Sequence, residues 1–198
     1  MSLDKTKGRL DLTAGEMRTI ACFAMSLQRK KQSRYLEVGI YGGGTIKFVK
    51  DHAKGIDCTG IDLFEDFHKN QNNTHIGNTF SKEMVQDFLG SDVRLIKGDS
   101  SLVLSDLHKN NEKFDLIFID GNHKYEAVKK DYEQALLVLD ESGFIAFHNC
   151  STHGKPDWDL YNKIDGGPWL LTTEIKMRKD MVLVADVDRV CVFGKVKN

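Results

Sequence analysis

Short, fully apolar runs alternate with amphipathic stretches along most of the chain, and nearly every run closes on Gly, Asp or Asn. The runs predict strands at 35–38, 58–63, 93–97, 114–119 and 143–148. The amphipathic stretches predict helices at about 45–52, 81–89, 100–109 and 125–139, with Gly90 placed as a helix stop. Ahead of them, Thr13-Ala14-Gly15-Glu16 has the spacing of a helix capping box. Ile20, Phe23, Ala24 and Leu27 follow at helical spacing, until the pattern dissolves in a basic run at 28–34. Strand and helix in alternation mean a parallel sheet with helices on both faces, because each parallel connection needs a crossover. Runs such as Leu116-Ile117-Phe118-Ile119 carry no polar face, as strands buried on both sides require. After Pro168, residues 172–179 and 188–196 are β-rich and predict two further strands in an antiparallel, hairpin-like pair. The fold class is therefore α/β. It is a Rossmann-like, doubly wound, mostly parallel seven-stranded sheet with a C-terminal antiparallel strand, in three α/β/α layers. No repeat or linker divides the chain, so 1–198 reads as one domain, with a flexible tail at 1–12. The Asn- and His-rich stretch 65–79 reads as a surface loop or a mobile lid over the strand ends.

Composition narrows the function classes more than the fold. Lys plus Arg total 28 and Asp plus Glu total 29, a net charge of -1. This balance supplies no basic excess for nucleic acid or an anionic membrane, so neither partner is expected. No apolar run approaches the ~20 residues that span a bilayer, and the polar first residues lack a signal peptide's apolar stretch. A cytoplasmic, reducing location is the expectation. Cys22, Cys58, Cys150 and Cys191 are scattered without C-x-x-C spacing, which argues against structural zinc. Cys22, Cys58 and Cys191 have apolar neighbours and read as buried free thiols. Cys150 falls at a predicted strand end.

In an open parallel sheet, ligands bind beyond the carboxyl ends of the strands, where the strand order reverses. The first strand ends in Y-L-E-V-G-I-Y-G-G-G-T, where the glycines let the backbone turn tightly and approach a ligand. Thr45 then opens a helix whose N–H groups point into the same space. Glu37 makes the pattern E-x-G-x-x-x-G-x-T rather than the G-x-G-x-x-G of dinucleotide folds. A carboxylate there would repel a pyrophosphate and attract a cationic amino group. Asp62, at the tip of the second strand, is placed to accept hydrogen bonds from ribose hydroxyls. Asp99, in K-G-D-S-S, could meet an adenine edge or cap the following helix.

Together with F-D-L-I-F-I-D-G-N-H, these segments resemble class I S-adenosylmethionine-dependent methyltransferases. Residues 120–149, DGNHKYEAVKKDYEQALLVLDESGFIAFHN, resemble a narrower group of small-molecule O-methyltransferase-like enzymes. That group carries D-G-x-H-x-Y, an acidic helix, G-G, and a histidine followed by aspartate; the likeness runs over about 35–149. It implies that Glu37, Gly39 and Gly43 hold the methionine part of S-adenosylmethionine and that Asp62 holds the ribose. Asp99 and Ser100 would lie beside the adenine, and Thr45 and Leu63 belong to the same cofactor set. Asp120 would face the transferred methyl. Relatives often use this aspartate, with acidic residues after strand five, to bind Mg2+, which then acidifies a substrate hydroxyl.

The chain departs from that pattern at His148-Asn149, where the second residue is not an aspartate. Asn offers a carbonyl oxygen without charge, and His suits magnesium poorly. A Mg2+ site on Asp120 and Asn149 is thus sparsely furnished. The alternative is that His148 or His123 takes the acceptor proton directly, although His123 could instead brace the loop after strand four. His153, Asp157 and Trp158 could line an acceptor pocket. The N-P-P-Y type signature of exocyclic-amine methylation is missing after strand four, where Asp120-Gly121-Asn122-His123 stands. The expected function is S-adenosylmethionine-dependent O-methylation of a small-molecule hydroxyl acceptor, with the late strands able to support a homodimer. The rivals are a non-catalytic S-adenosylmethionine-binding domain and a nicotinamide-dependent oxidoreductase.

Overall fold

The first helix follows from its cap. In the computed structural model, which describes residues 12–27, 32–64, 80–150 and 166–196, Thr13 Oγ1 accepts from Glu16 N at 3.2 Å while Glu16 Oε2 accepts from Thr13 N at 2.6 Å. This reciprocal box satisfies donors that a helix start leaves orphaned, and α1 runs Ala14–Ser26. Its buried stripe passes through Met17, Ile20, Ala21 and Ala24. Cys22 lies off that stripe and is exposed, contrary to its apolar neighbourhood in sequence, whereas Cys58, Cys150 and Cys191 are buried.

Strands and helices then alternate as the periodicity predicts. The order is β1 Arg34–Val38, α2 Gly44–His52, β2 Asp57–Asp62, α3 Lys82–Leu89, β3 Arg94–Lys97, α4 Ser100–Lys109, β4 Phe114–Ile119, α5 Tyr125–Val138 and β5 Leu139–Phe147. β5 starts earlier than expected because α5 passes into it without a loop, its C-cap Leu139 already extended at φ -73, ψ 131.

Past Gly166 the predicted strand at 172–179 is corrected. Most of it belongs to a helix, α6, Gly167–Lys176. Thr172, Thr173 and Ile175 favour strands locally, but Pro168 occupies a first-turn position where its missing N–H costs nothing. Leu171, Thr172 and Ile175 then bury at helical spacing, with Leu171 and Ile175 in the core beside Val128 and Tyr132 of α5. Burial of that stripe outweighs propensity. The antiparallel hairpin exists as expected, but its first strand lies later: β6 is Met181–Val187 and β7 is Val190–Lys195.

The seven strands form one sheet in the order β3-β2-β1-β4-β5-β7-β6. β1 to β5 pair in parallel, and β7 runs antiparallel to both β5 and β6. Side chains alternate across the strands. Tyr35, Leu116 and Phe118 join the core under α1, α2 and α3, while Leu36, Val38, Ile117 and Ile119 join the core under α4, α5 and α6. Leu12, the last residue of the expected tail, is buried in the first of these cores. The rest of that tail, the lid at 65–79, and His153, Asp157 and Trp158 lie outside the described residues. Among those described, no helix is long and apolar enough to cross a membrane.

Candidate active site

The strand order reverses at β1, which has β2 and β3 on one side and β4 and β5 on the other. The carboxyl ends of β1 and β4 therefore bracket the crevice where such sheets bind ligands. Backbone hydrogen bonds lace the loops there: Gly39 N donates to Ile61 O at 2.9 Å, Asp120 N to Val38 O at 2.8 Å, and His148 N to Ile119 O at 3.1 Å. Gly39 has φ 83, and a Cβ placed on it would stand 2.3 Å from the carbonyl oxygen of Asp120. The glycine is thus required by the contact between two loops, before any ligand is considered.

On the β1 side three carboxylates mark three successive strand ends. Glu37 is buried, with the fully buried Tyr35 hydroxyl donating to its Oε2 at 2.7 Å. Burial drives its pKa well above the ordinary value; the Tyr35 hydrogen bond opposes this, and the charges of Asp120 and Asp62 reinforce it. Asp62 holds the glycine turn: Oδ2 accepts from Ile40 N at 2.8 Å and Tyr41 N at 3.0 Å, and Oδ1 accepts from Phe64 N at 3.0 Å. Asp99 caps α4, accepting from Leu102 N at 3.2 Å and Ser101 Oγ at 2.6 Å. Ser100 donates to Asp131 Oδ1 at 2.6 Å. Gly43, at φ 82, and the buried Thr45 form the turn into α2, while Leu63 is exposed beside Asp62.

The β4 and β5 ends carry a denser network. His148 Nδ1 lies 2.9 Å from Asp120 Oδ1, and its Nε2 lies 3.6 Å from Glu16 Oε2, an ion-pair contact longer than a hydrogen bond. The His148 side chain is 2% exposed and that of Glu16 0%. Glu16 also accepts from Arg189, with Oε1 3.0 Å from Arg189 N and 3.0 Å from its Nε. Arg189 Nη1 reaches Asn149 Oδ1 at 3.4 Å, and Asn149 Nδ2 lies 3.1 Å from His123 Nδ1. His123 Nε2 closes the circuit 3.5 Å from Asp120 Oδ1.

Electrostatics follow from that circuit. Burial alone would lower the pKa of His148, but the charge and hydrogen bond of Asp120, with Glu16, outweigh it and bring the imidazole to about 9. Burial would raise Glu16; contacts from His148, Thr13 and Arg189 overcome it and bring the carboxyl down to about 2. Burial likewise opposes the charge on Asp120, yet His148 and His123 hold its pKa below the ordinary value. The buried Cys150 thiol is pushed well up, chiefly by burial and then by Cys191.

Residues 36–150 match the family described as "Methyltransferase domain". The chain belongs to this family. A curated relative is an uncharacterised protein, R132, of Acanthamoeba polyphaga mimivirus, 26% identical over 121 residues, or 60% of this chain and 52% of the relative. Among solved structures, MycE methyltransferase from the mycinamycin biosynthetic pathway, in complex with Mg and SAH, matches with a TM-score of 0.62 at 17% identity, covering 90% of this chain and 48% of that one. An O-methyltransferase from Bacillus cereus in complex with SAH matches with a TM-score of 0.63 at 15% identity, covering 93% and 83%. The chain thus spans about half the length of the mimivirus relative and of MycE, and at these identities the solved structures speak for the fold.

Of the residues expected in the site, the fold brings Asp120, His123, His148 and Asn149 together. It sets Glu37, Gly39, Gly43, Thr45, Asp62, Leu63, Asp99 and Ser100 along the neighbouring strand ends. Sequence reasoning missed Glu16, Tyr35, Asp131 and Arg189. A signal existed for two of them: Glu16 and Asp131 fall on the buried stripes of α1 and α5, where an acid needs a partner. Arg189 had none, being one residue of a hairpin turn.

A magnesium ion was left possible by the sequence, and the donors among the described residues furnish it poorly. The described residues offer one cluster of metal-ligand types, Asp120, His123 and His148, with ligand atoms within 4.8 Å of one another. That set holds a single carboxylate, its Oδ1 already engaged by His148, and Asn149 turns its carbonyl oxygen to a guanidinium. A hard dication prefers several oxygen ligands and no cation beside them.

Proposed function

We propose that this methyltransferase moves the methyl group of S-adenosylmethionine to a hydroxyl oxygen of a small molecule. The observation that carries the reading is the row Glu37, Asp62, Asp99 along three adjacent strand ends of the switch point. Glu37 would take the cofactor's ammonium group, Asp62 its ribose hydroxyls, and Asp99 with Ser100 its adenine edge, while Gly39 and Gly43 keep the backbone low beneath it. When bound, the cofactor supplies a sulfonium methyl that is already a strong electrophile, so alignment and exclusion of water are the protein's main tasks.

Asp120 is the group placed to orient the acceptor hydroxyl and to receive its proton as the oxygen takes the methyl and S-adenosylhomocysteine leaves. Its carboxylate stays ionised because His148 keeps a proton between it and Glu16 up to about pH 9. His148 is therefore a positioning residue for Asp120 at neutral pH rather than the proton acceptor. A hydroxyl acceptor agrees with the Asp120-Gly121-Asn122-His123 loop, which lacks an amine-methylation signature. A reducing, cytoplasmic setting suits the four unpaired cysteines.

The test is isothermal titration with S-adenosylmethionine, S-adenosylhomocysteine and NAD, followed by a methyl-transfer screen over hydroxylated small molecules. We expect binding of the first two in the micromolar range, at least tenfold weaker in Asp62→Ala, and turnover lost in Asp120→Asn with binding retained. No binding of either sulfur compound, or tighter binding of NAD, would sink the reading.

A further inference from the structure

We infer that Glu16, Arg189 and Asn149 form a relay whose purpose is to fix His123 as the tautomer protonated on Nε2, which bars it from ligating a metal. The inference rests on the methyl-transfer reading for the purpose of the site, but its geometry stands on its own. Glu16 is fully buried and receives the backbone N–H and Nε of Arg189, both at 3.0 Å, and Nη2 at 3.3 Å. The guanidinium is thereby clamped in one orientation, as its planar fork allows. Arg189 only donates, so the Asn149 atom that meets its Nη1 at 3.4 Å must be the carbonyl oxygen. Turning the amide over would set an NH2 group against a permanent cation. Asn149 Nδ2 must then face His123 Nδ1, at 3.1 Å, and can only donate to it.

His123 Nδ1 is therefore an acceptor, and the ring proton resides on Nε2, which points to Asp120 Oδ1 at 3.5 Å. A histidine that ligates a metal through one nitrogen normally donates N–H from the other to an acceptor. Here the other nitrogen meets a donor, so Nε2 has no lone pair to offer. With His123 removed from the Asp120, His123, His148 cluster, the described residues keep two donors there, fewer than the three or four that a zinc site takes from protein. Asn149 is thus not a weakened aspartate. An aspartate in its place would accept from Arg189 and also from His123, forcing the ring proton to Nδ1 and freeing Nε2 to ligate. The change at 149 thus reverses the tautomer of His123.

The test uses the full chain with 15N-labelled histidine rings, observed by long-range proton–nitrogen correlation at about pH 8, where an ordinary imidazole is neutral. A His123→Gln spectrum assigns the His123 signals. In the unaltered protein we expect an unprotonated Nδ1 and a protonated Nε2, unchanged by EDTA, by millimolar Mg2+ or by equimolar Zn2+. In Asn149→Asp the proton should move to Nδ1, and in Arg189→Met the two nitrogens should average. A proton on Nδ1 in the unaltered protein, or a shift of His123 on adding either ion, would overturn the inference. Should Arg189→Met fail to fold, the unaltered spectrum and Asn149→Asp still decide it. S-adenosylhomocysteine binding, titrated on the same sample, tests the methyl-transfer reading separately, since its loss would leave the tautomer untouched.

Discussion

Asp131 lies on the buried stripe of α5 with Val128, Tyr132 and Ala135, and is held by the Ser100 hydroxyl at 2.6 Å. Burial raises its carboxyl from 3.8 to about 6; the Ser100 bond opposes the rise, and the charge of Asp99 adds to it. The sign follows from linkage: the folded chain binds this proton more tightly than the unfolded one, so stability falls as pH rises from about 4 to 6. Above that window the ionised, buried carboxyl costs about 3 kcal/mol. Asp131→Asn should therefore be more stable than the parent by up to about 3 kcal/mol at neutral pH, with the gain vanishing towards pH 4. Urea denaturation across that range reads it, and a variant no more stable at neutral pH would show that the Ser100 contact needs the charge. The candidate acids Glu37, Asp62, Asp99 and Asp120 were legible because each lies at or just past the carboxyl end of a predicted strand. Asp131 was harder, because a helix stripe is read for its apolar members and a single acid looks like an interruption of it.

At the scale of elements, the loop after β1 owes its shape to the backbone of another loop. Gly39 combines φ 83 with a Cβ position 2.3 Å from the carbonyl oxygen of Asp120, whereas Gly55 combines φ 79 with open space. Gly55→Ala should cost only the left-handed backbone, about 1 kcal/mol. Gly39→Ala must also push the β1 and β4 loops apart, and we expect at least about 3 kcal/mol by chemical denaturation, from strain at both loops. Equal costs at the two positions would mean that the loops do not rely on their close approach. The helices and strands up to β5 were readable because hydrophobic period and turn residues agree there. From 167 onward they conflict: β-branched Thr172, Thr173 and Ile175 argue for a strand, while Pro168 and the stripe Leu171, Thr172 and Ile175 fit a helix. Packing on α5 settles it, and no local rule announces that packing.

Across the whole molecule, the Glu16 circuit joins α1, the end of β5 and the β6–β7 turn, which are far apart along the chain. His148 has its pKa raised from 6.5 to about 9, so its stabilisation is fully present below about pH 6.5 and is lost as pH rises through 9. Its full extent is about 3 kcal/mol; the parts of the Glu16 and Asp120 shifts that come from His148 are the other halves of the same contacts and do not add to it. Denaturation midpoints should fall between pH 6.5 and 9.5, and Glu16→Gln should flatten that slope and lower stability at pH 7. An unchanged slope in the variant would place the raised pKa on Asp120 alone. By itself the sequence determined the alternating α/β architecture, the glycine turn and the acids at the strand tips, because period, propensity and turn chemistry act over a few residues. Tertiary structure alone decided that Glu16 grips Arg189 while keeping its capping box, that Asn149 faces a cation, and that His148 is enclosed by two carboxylates. Those are contacts between residues distant in sequence, and their energy depends on burial and mutual orientation that exist only once the sheet and its helices have packed.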